Sequence, residues 1–336
     1  MSKFSLDVLQ RRVFPFAGDE DPDVLLGAAF GEDVSLTRVG DDILVSHVDP
    51  IVGAIGDIGW LAVHVACNDV ATAGIPPRWL LLLVLVPSMK DEELLEQIMR
   101  DAQRAAGEIG ASIIGGHTGY SAGLSRPLVA VTALGTAAGR EPVLTGGAHV
   151  GDRVLVTKGI ALEGTAILAQ DFADVACELG LSDEELKQGR QVMAEVSVVP
   201  EALALAENGV TAMHDVTRGG ILETLLEIAI LSEVGIEIAF DKLPLPAIVS
   251  RFAEAFQFDP LRMISSGTLA VTAPPDRVDE VRHALQELGT TFAFVGQVTE
   301  GAGVRVRRDG AVAHYDEIRC EEDELARMWE LYPRDE

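Results

Sequence analysis

Apolar residues form two patterns along this chain. Some lie in short continuous runs, and others recur with the period of a helix over longer segments. The run Trp79–Val86 is apolar throughout and is ended by Pro87, which predicts a strand buried on both faces. From residue 91 to residue 109 apolar side chains return every three or four positions, and Gly110 follows. That pattern predicts an amphipathic helix with a glycine stop. Similar elements alternate through the sequence, so we predict an α/β (α+β) protein.

One predicted helix, between Asp57 and Gly74, carries an acidic residue on its apolar stripe. Asp57 is a plausible N-cap, Gly74 suits the left-handed residue that ends a helix, and two prolines follow. One face is shared by Ile58, Ala62, Val65 and Asp69. Because a buried unpaired carboxylate is costly, Asp69 requires a cation, hydrogen-bond donors or access to solvent. The helix alone leaves a metal ion and an ordinary salt bridge equally open.

A segment rich in glycine and proline, residues 139–151, gives the best domain boundary. We predict an N-terminal domain over residues 1–140 and a C-terminal domain over residues 150–310. The acidic residues 311–336 are predicted to form a helix or tail at the surface.

Length and charge narrow the class of protein. The 336 residues are enough for about two domains with separate cores. The formal net charge of −27 argues against nucleic-acid binding, which requires an excess of Lys and Arg. The longest apolar run is too short to cross a membrane and no signal peptide is evident, so we expect a cytoplasmic protein. Three isolated cysteines predict neither disulfides nor a zinc site.

Acidic and glycine-rich segments at the predicted strand ends carry the candidate chemistry. They are residues 31–33 (GED), 47–49 (HVD), 115–118 (GGHT) and 214–220 (HDVTRGG), and Asn68-Asp69 adds a contribution from the helix. Mg²⁺ favours carboxylate oxygens, and glycines allow backbone N–H groups to approach phosphate oxygens. Neither a P-loop nor a well-placed GxGxxG is present, so a triphosphate requires another arrangement. A transition-metal centre built on His47, His117 and His214 is an alternative, as are ordinary hydrogen-bonded histidines.

Four stretches together resemble one known family. They are GDIGxLAVH at 56–64 continued by NDVAxxG at 68–74, GDRVLV at 151–156, DVTRGG at 215–220 and SSGTL at 265–269. This ordered set, which extends from about residue 31 to residue 306, resembles the aminoimidazole-ribonucleotide-synthetase-like (PurM-like) superfamily. Within the superfamily it is most similar to the hydrogenase-maturation carbamoyl-dehydratase branch.

The resemblance implies two domains, with an N-terminal sheet that pairs with that of a second subunit in a homodimer and a C-terminal α/β sandwich. ATP and Mg²⁺ are expected in a cleft between the domains, where family members phosphorylate an oxygen, often of an amide-like group. The positions that match metal-binding aspartates are Asp33, Asp49, Asp69 and Asp215. Residues assigned to nucleotide binding are Asn68, Gly115, Gly116, His117, Thr118, Lys158, Thr217, Arg218, Gly219 and Gly220.

Two departures leave the acceptor undefined. The carbamoyl-dehydratase branch carries its substrate on a C-terminal cysteine, whereas this sequence ends in YPRDE, and we do not assign that role to Cys320. The GGHT segment is more similar to the selenophosphate-synthetase branch, whose N-terminal catalytic cysteine is not found. We therefore expect an ATP-dependent enzyme with an unidentified small-molecule or protein-borne acceptor. The alternatives are a kinase similar to thiamine-monophosphate kinase and a nucleotide-binding scaffold without turnover.

Overall fold

The computed structural model describes Phe4 and residues 6–18, 21–52, 57–319 and 322–333. Gly56 and Cys320, which entered the sequence argument, lie outside these residues. The described residues form two compact units. The N-terminal unit holds residues 21–29 and 33–142, and the C-terminal unit holds residues 6–18, 30–32 and 143–333. Helix α1 (Leu6–Arg12) is the first element of the chain.

The N-terminal unit is a six-stranded sheet with two helices on one face. Its strands are β1 (Val24–Leu26), β2 (Ser35–Val39), β3 (Asp42–Val52), β4 (Trp79–Val86), β5 (Ser112–Tyr120) and β6 (Leu128–Thr136). Their order is β1-β2-β3-β6-β4-β5, and within this sheet β4 and β5 are the one parallel pair among the described residues. The helices are α2 (Ile58–Thr72) and α3 (Glu92–Ile109). Gly74 and Gly110, the predicted helix stops, both have positive φ, which confirms the two C-terminal ends.

The described residues cover only one face of this sheet. In β4 the side chains of Leu80, Leu82 and Val84 are buried, whereas Leu81 and Leu83 are 39% and 37% exposed. The prediction that β4 is buried on both faces is therefore wrong. The physical reason is that α2 and α3 lie on one face only, and successive strand residues point to opposite faces. The second face remains apolar and exposed.

The C-terminal unit is built on a seven-stranded sheet. Its strands are β7 (Arg153–Thr157), β8 (Ala212–Asp215), β9 (Gly235–Ala239), β10 (Leu269–Ala273), β11 (Phe292–Thr299), β12 (Gly303–Arg308) and β13 (Ala311–Tyr315), in the order β13-β12-β9-β11-β7-β10-β8. Its further helices are α4 (Leu162–Asp171), α5 (Ala173–Glu178), α6 (Asp183–Gln191), α7 (Val199–Glu207), α8 (Gly220–Leu231), α9 (Ala247–Phe256), α10 (Val278–Glu287) and α11 (Glu324–Leu331). Helix α8 packs on the sheet in one core cluster, and α4, α6, α9 and α11 share another. The predicted α/β architecture is confirmed.

The last helix is part of the core of this unit. Leu325 and Met328 of α11 are buried, and Trp329 packs edge-to-face on Phe172 with ring centroids 4.6 Å apart. The acidic composition had led us to expect a helix or tail at the surface. The difference arises because α11 is amphipathic and because Asp323 and Glu324, at its start, are themselves buried. None of the helices in the described part of the chain combines the length and the apolarity that a membrane span requires.

Candidate functional site

Two of the predicted metal-binding aspartates are held together in the N-terminal unit. Asp33 precedes β2 and Asp69 lies on α2, and they are only 8% and 6% exposed. The hydroxyl of Thr72 is 3.0 Å from Asp33 Oδ2 and 2.6 Å from the Asp69 carbonyl oxygen. His47 on β3 contacts both residues, because its Nδ1 meets the Asp33 carbonyl oxygen and its Nε2 lies 3.4 Å from Asp69 Oδ2. We call Asp33, His47, Asp69 and Thr72 the aspartate cluster.

The hydrogen bonds of the cluster define how His47 is oriented. A carbonyl oxygen only accepts, so His47 Nδ1 must carry the proton in its contact with Asp33. Nε2 then faces the Asp69 carboxylate, 3.4 Å from its Oδ2. An imidazole fixed through one nitrogen by a backbone carbonyl is also how proteins orient histidines beside metal ions. The carboxylates of the cluster are the type of donor that Mg²⁺ prefers, so the residues present fit a hard cation.

Asp49 and Asn68 extend this set along β3 and α2. Asp49 pairs in register with the fully buried Val131 of β6, which places it on the helix-covered face, two residues beyond His47. It lies inside β3, which continues to Val52, and not at the strand end where we predicted it. Asn68 is completely buried on α2.

The neighbouring Cys67 thiol has low reactivity. Burial, together with the charge of Asp69, raises its pKa far above the usual range. Because the thiolate is the reactive form of cysteine, Cys67 is a packing residue.

The GGHT segment lies in a strand and not in a loop. Residues 115–118 pair in parallel with β4 in the middle of β5, which is the edge strand of the sheet. Gly116 has φ +147°, and a Cβ at this position would stand 1.9 Å from the Leu82 carbonyl oxygen. Close approach of two strands therefore requires this glycine, whatever its role toward phosphate. His117 and Thr118 are exposed, and their side chains form no hydrogen bond with the described residues.

In the C-terminal unit the HDVTRGG segment joins β8 to the N-terminus of α8. His214 and Asp215 are buried, and His214 Nε2 lies 3.0 Å from Glu227 Oε2. Gly219 has φ +80° and occupies the N-cap position of α8. Such a loop presents backbone N–H groups at a helix N-terminus, a common arrangement for binding phosphate.

An acidic residue from the end of the chain already contacts this loop. The Gly219 N–H donates to Asp323 Oδ2 over 3.1 Å, and Arg218 Nη1 lies 3.6 Å from Asp323 Oδ1. Asp323 also caps α11 by accepting from the Ala326 N–H over 2.7 Å. One carboxylate therefore fixes both the loop and the last helix.

Lys158, predicted to bind nucleotide, is engaged within its own unit. Its ammonium group lies 2.7 Å from Glu201 Oε1, and it donates to the carbonyl oxygens of Glu195, over 3.0 Å, and Ser197. These contacts use the three donors of an ammonium group. A phosphate contact of Lys158 stays a prediction that requires it to leave one of these partners. Burial raises the pKa of Glu201, and the Lys158 charge opposes that shift.

The SSGTL motif organises the backbone around Lys158. Ser265 Oγ accepts from the Leu162 N–H over 3.0 Å and lies 2.6 Å from Thr268 Oγ1. Thr268 in turn donates to the carbonyl oxygen of Gly159. The two hydroxyls thereby connect the loop after β7 with the start of α4.

Sequence reasoning missed Thr72, Glu201 and Asp323. Thr72 could have been found, because it stands three residues after Asp69 on the same helix face. Glu201 and Asp323 gave no signal, since each meets its partner only through the tertiary fold.

With this geometry established, the family follows from comparison with known proteins. Residues 31–137 match the N-terminal domain of the AIR synthase related proteins, and residues 149–309 match the C-terminal domain. This chain belongs to the AIR synthase related family. The predicted membership in this superfamily, near its hydrogenase-maturation branch, is confirmed.

Curated relatives of this family member include hydrogenase maturation proteins. A putative hydrogenase expression/formation protein of Methanocaldococcus jannaschii is 28% identical over 279 residues, which cover 80% of each chain. The carbamoyl dehydratase HypE of Azotobacter vinelandii is 30% identical over 259 residues, which cover 75% of this chain and 73% of that one.

Solved structures of family members share the two-domain fold. HypE in a complex with HypF gives a TM-score of 0.76 at 24% identity, covering 92% of this chain and 99% of that one. HypE in a complex with ATP gives a TM-score of 0.71 at 24% identity, covering 89% of this chain and 91% of that one. Thiamine-monophosphate kinase from Stenotrophomonas maltophilia gives a TM-score of 0.70 at 25% identity, covering 93% of this chain and 99% of that one.

Proposed function

We propose that this member of the AIR synthase related family is an ATP- and Mg²⁺-dependent enzyme that phosphorylates an oxygen of an unidentified, amide-like acceptor. The observation that carries the proposal is the aspartate cluster, in which two buried carboxylates and an oriented imidazole are held together. A buried carboxylate is costly unless hydrogen-bond donors or a cation compensate its charge, and a divalent cation would compensate both carboxylates at once. The similarity to carbamoyl dehydratases and to a HypE complex with ATP supports the same reaction class.

Asp33, Asp49 and Asp69 are the residues that we propose for Mg²⁺, and Asp215 is proposed as a further ligand from its motif. A bound Mg²⁺ supplies charge stabilisation to a phosphoryl group during transfer. His47 holds Asp69 in position, and Thr72 does the same for Asp33. For the nucleotide we propose Gly219 and Gly220, whose N–H groups would have to leave Asp323 Oδ2 and the Thr217 carbonyl oxygen. Asn68, Thr217, Arg218 and the exposed GGHT strand, residues 115–118, complete the proposed set.

We further propose that the protein works as a homodimer through the uncovered sheet face of its N-terminal unit. Leu81, Leu83 and Val48 are exposed on adjacent parts of this face, with Val48 60% exposed. An exposed apolar surface of this kind is typical of an interaction site. A protein-borne acceptor is a second proposed partner, supported by the similarity to HypE in its complex with HypF.

A kinase that retains the phosphoryl group in its product is the second candidate. The similarity to thiamine-monophosphate kinase favours it, because the fold matches over 93% of this chain. Both candidates begin with the same attack on the γ-phosphate, so the residues proposed for ATP serve either reaction. The fate of the phosphoryl group separates the two.

Phosphorus NMR of the protein with Mg·ATP and candidate acceptors tests this proposal. A small amide or a carbamoylated peptide should accelerate ATP consumption with free phosphate as the product, and thiamine monophosphate should not. A new phosphoester or phosphoanhydride signal without free phosphate would favour the kinase. ATP bound in the presence of Mg²⁺ but unchanged with every acceptor would favour a scaffold and contradict the proposal.

A further inference from the structure

A groove in the C-terminal unit has a charge opposite to that of the protein as a whole. It is an open groove with a volume of about 640 Å³, and it lies on the sheet beside α10. Five of its fourteen lining residues are basic, and Glu237 is its one acidic lining residue. The entire chain has 53 acidic and 26 basic residues, so acids outnumber bases by about two to one. The groove reverses this ratio, so the local electrostatic potential favours an anion.

The basic residues come from neighbouring strands in register. Gln297 of β11 pairs with Arg153 of β7 on one side and with Glu237 of β9 on the other. Glu237 in turn pairs with Arg305 of β12. Cross-strand neighbours on one face are close together, so the four side chains form a continuous polar row. Arg307 follows two residues after Arg305 and therefore points to the same side.

Most of the positive charge in the groove is not neutralised. Arg305 pairs with Glu237 over 2.7 Å, and Arg153 donates only to the neutral amide oxygen of Gln297 over 3.3 Å. Among the described residues, no carboxylate forms an ion pair with the other three basic side chains, which are Lys242, Arg282 and Arg307. Unpaired cations grouped in a concave site attract and orient an anionic ligand.

An apolar surface lies beside these cations. Phe294 is partly buried in the groove, and the Arg282 guanidinium is 5.3 Å from the centre of its ring. Ile238, Ala239, Val278, Val295 and Val312 complete the apolar lining. A flat ring system can stack on the Phe294 and Arg282 planes while its charged group reaches the cations.

We propose that this groove binds a small ligand that carries phosphate on a flat ring system, of the size of a nucleotide. Arginine guanidinium groups match the geometry of phosphate oxygens, and a groove of this volume suits a small molecule. None of the residues proposed above for ATP or Mg²⁺ lines the groove. The inference therefore stands independently of the proposed enzyme activity.

Calorimetric titration with adenosine monophosphate in EDTA tests the site without metal-dependent binding. We expect AMP to bind the wild-type protein, and the double variant Arg282→Glu/Arg307→Glu to bind at least about tenfold more weakly. Arg277→Glu is the matched control, because Arg277 is an exposed arginine next to the start of α10 that does not line the groove. It should bind as the wild type does. Raising KCl from about 50 mM to about 300 mM should weaken the wild-type interaction.

Photolabelling with 8-azidoadenosine monophosphate locates the binding site directly. The expected result is covalent label on peptides from residues 278–312, and its loss in the double variant. The milder variant Arg282→Gln should reduce the labelling even if the double variant is unstable. No AMP binding, equal binding by adenosine, or label confined to residues 31–137 would each overturn the proposal.

Discussion

Removing the Lys158 ammonium group tests whether this residue serves the fold of the C-terminal unit. In Lys158→Met the Glu201 carboxylate, only 2% exposed, loses the counter-ion that lies 2.7 Å away. Removal of one partner from a buried ion pair typically costs about 3–5 kcal/mol, because the other charge stays buried and uncompensated. For a unit of this size that corresponds to a fall in melting temperature of roughly 6–20 °C. Methionine preserves the length of the side chain and leaves the positive φ of 54° unchanged.

The size of this loss should depend on pH. Burial already raises the pKa of Glu201, and removing the opposing Lys158 charge raises it further. A carboxyl group whose pKa is raised by folding contributes stability that is fully present below its unfolded value of about 4.3 and is lost as the pH rises through the folded value. The difference between Lys158→Met and wild type should therefore be small near pH 5 and largest near pH 8.

Differential scanning calorimetry at these two pH values measures the effect. The double variant Lys158→Met/Glu201→Gln should recover about 2 kcal/mol or more at pH 8, because no buried charge remains. Lys187→Met, at an exposed position of α6, should change stability by no more than about 0.5 kcal/mol. An equal loss at both pH values, or no recovery in the double variant, would refute the reasoning.

Two further predictions concern the N-terminal unit. Leu83→Glu places a charge on the uncovered sheet face, so light scattering should show a monomer, and the circular dichroism spectrum should remain native. A persistent dimer would exclude this face as the interface. Gly116→Ala should destabilise the unit by about 2 kcal/mol or more, because the new Cβ would lie 1.9 Å from the Leu82 carbonyl oxygen. Gly115→Ala is the control: its Cβ would meet only a side-chain methyl group at 3.4 Å, so this substitution should be tolerated. Equal melting temperatures for the two glycine variants would contradict the role of Gly116 in strand packing.

Local sequence signals were sufficient for the helices of the N-terminal unit. The stops at Gly74 and Gly110 were read correctly because a left-handed residue after a helix favours glycine strongly. The start of α2 after Asp57 was also correct, but the carboxylate does not cap the helix. It pairs instead with Arg104 of α3 over 2.9 Å, a contact between helices that the local sequence does not specify.

Long-range pairing explains what the sequence did not reveal. The glycine-rich residues 115–118 were predicted to lie at the end of a strand, yet parallel pairing with β4 keeps them inside β5. Asp323 reaches Gly219 across 104 positions of sequence, so its role in fixing the loop before α8 depends wholly on the fold. The aspartate cluster was predicted only in part, because Asp33 and Asp69 are specified by their motifs while the joining Thr72 occupies an unspecified position of the 68–74 motif.

Calorimetric titration with ATP, with and without Mg²⁺, tests most directly whether the aspartate cluster forms a metal-dependent nucleotide site. The wild-type protein should bind ATP only when Mg²⁺ is present, and Asp69→Asn should weaken that binding while the protein remains folded. Asp101→Asn is the matched control, since Asp101 is also a buried carboxylate of this unit but contacts Gln97 and Arg104. It should bind Mg·ATP as the wild type does. Unchanged affinity in folded Asp69→Asn, or no ATP binding by the wild type in either condition, would contradict the account.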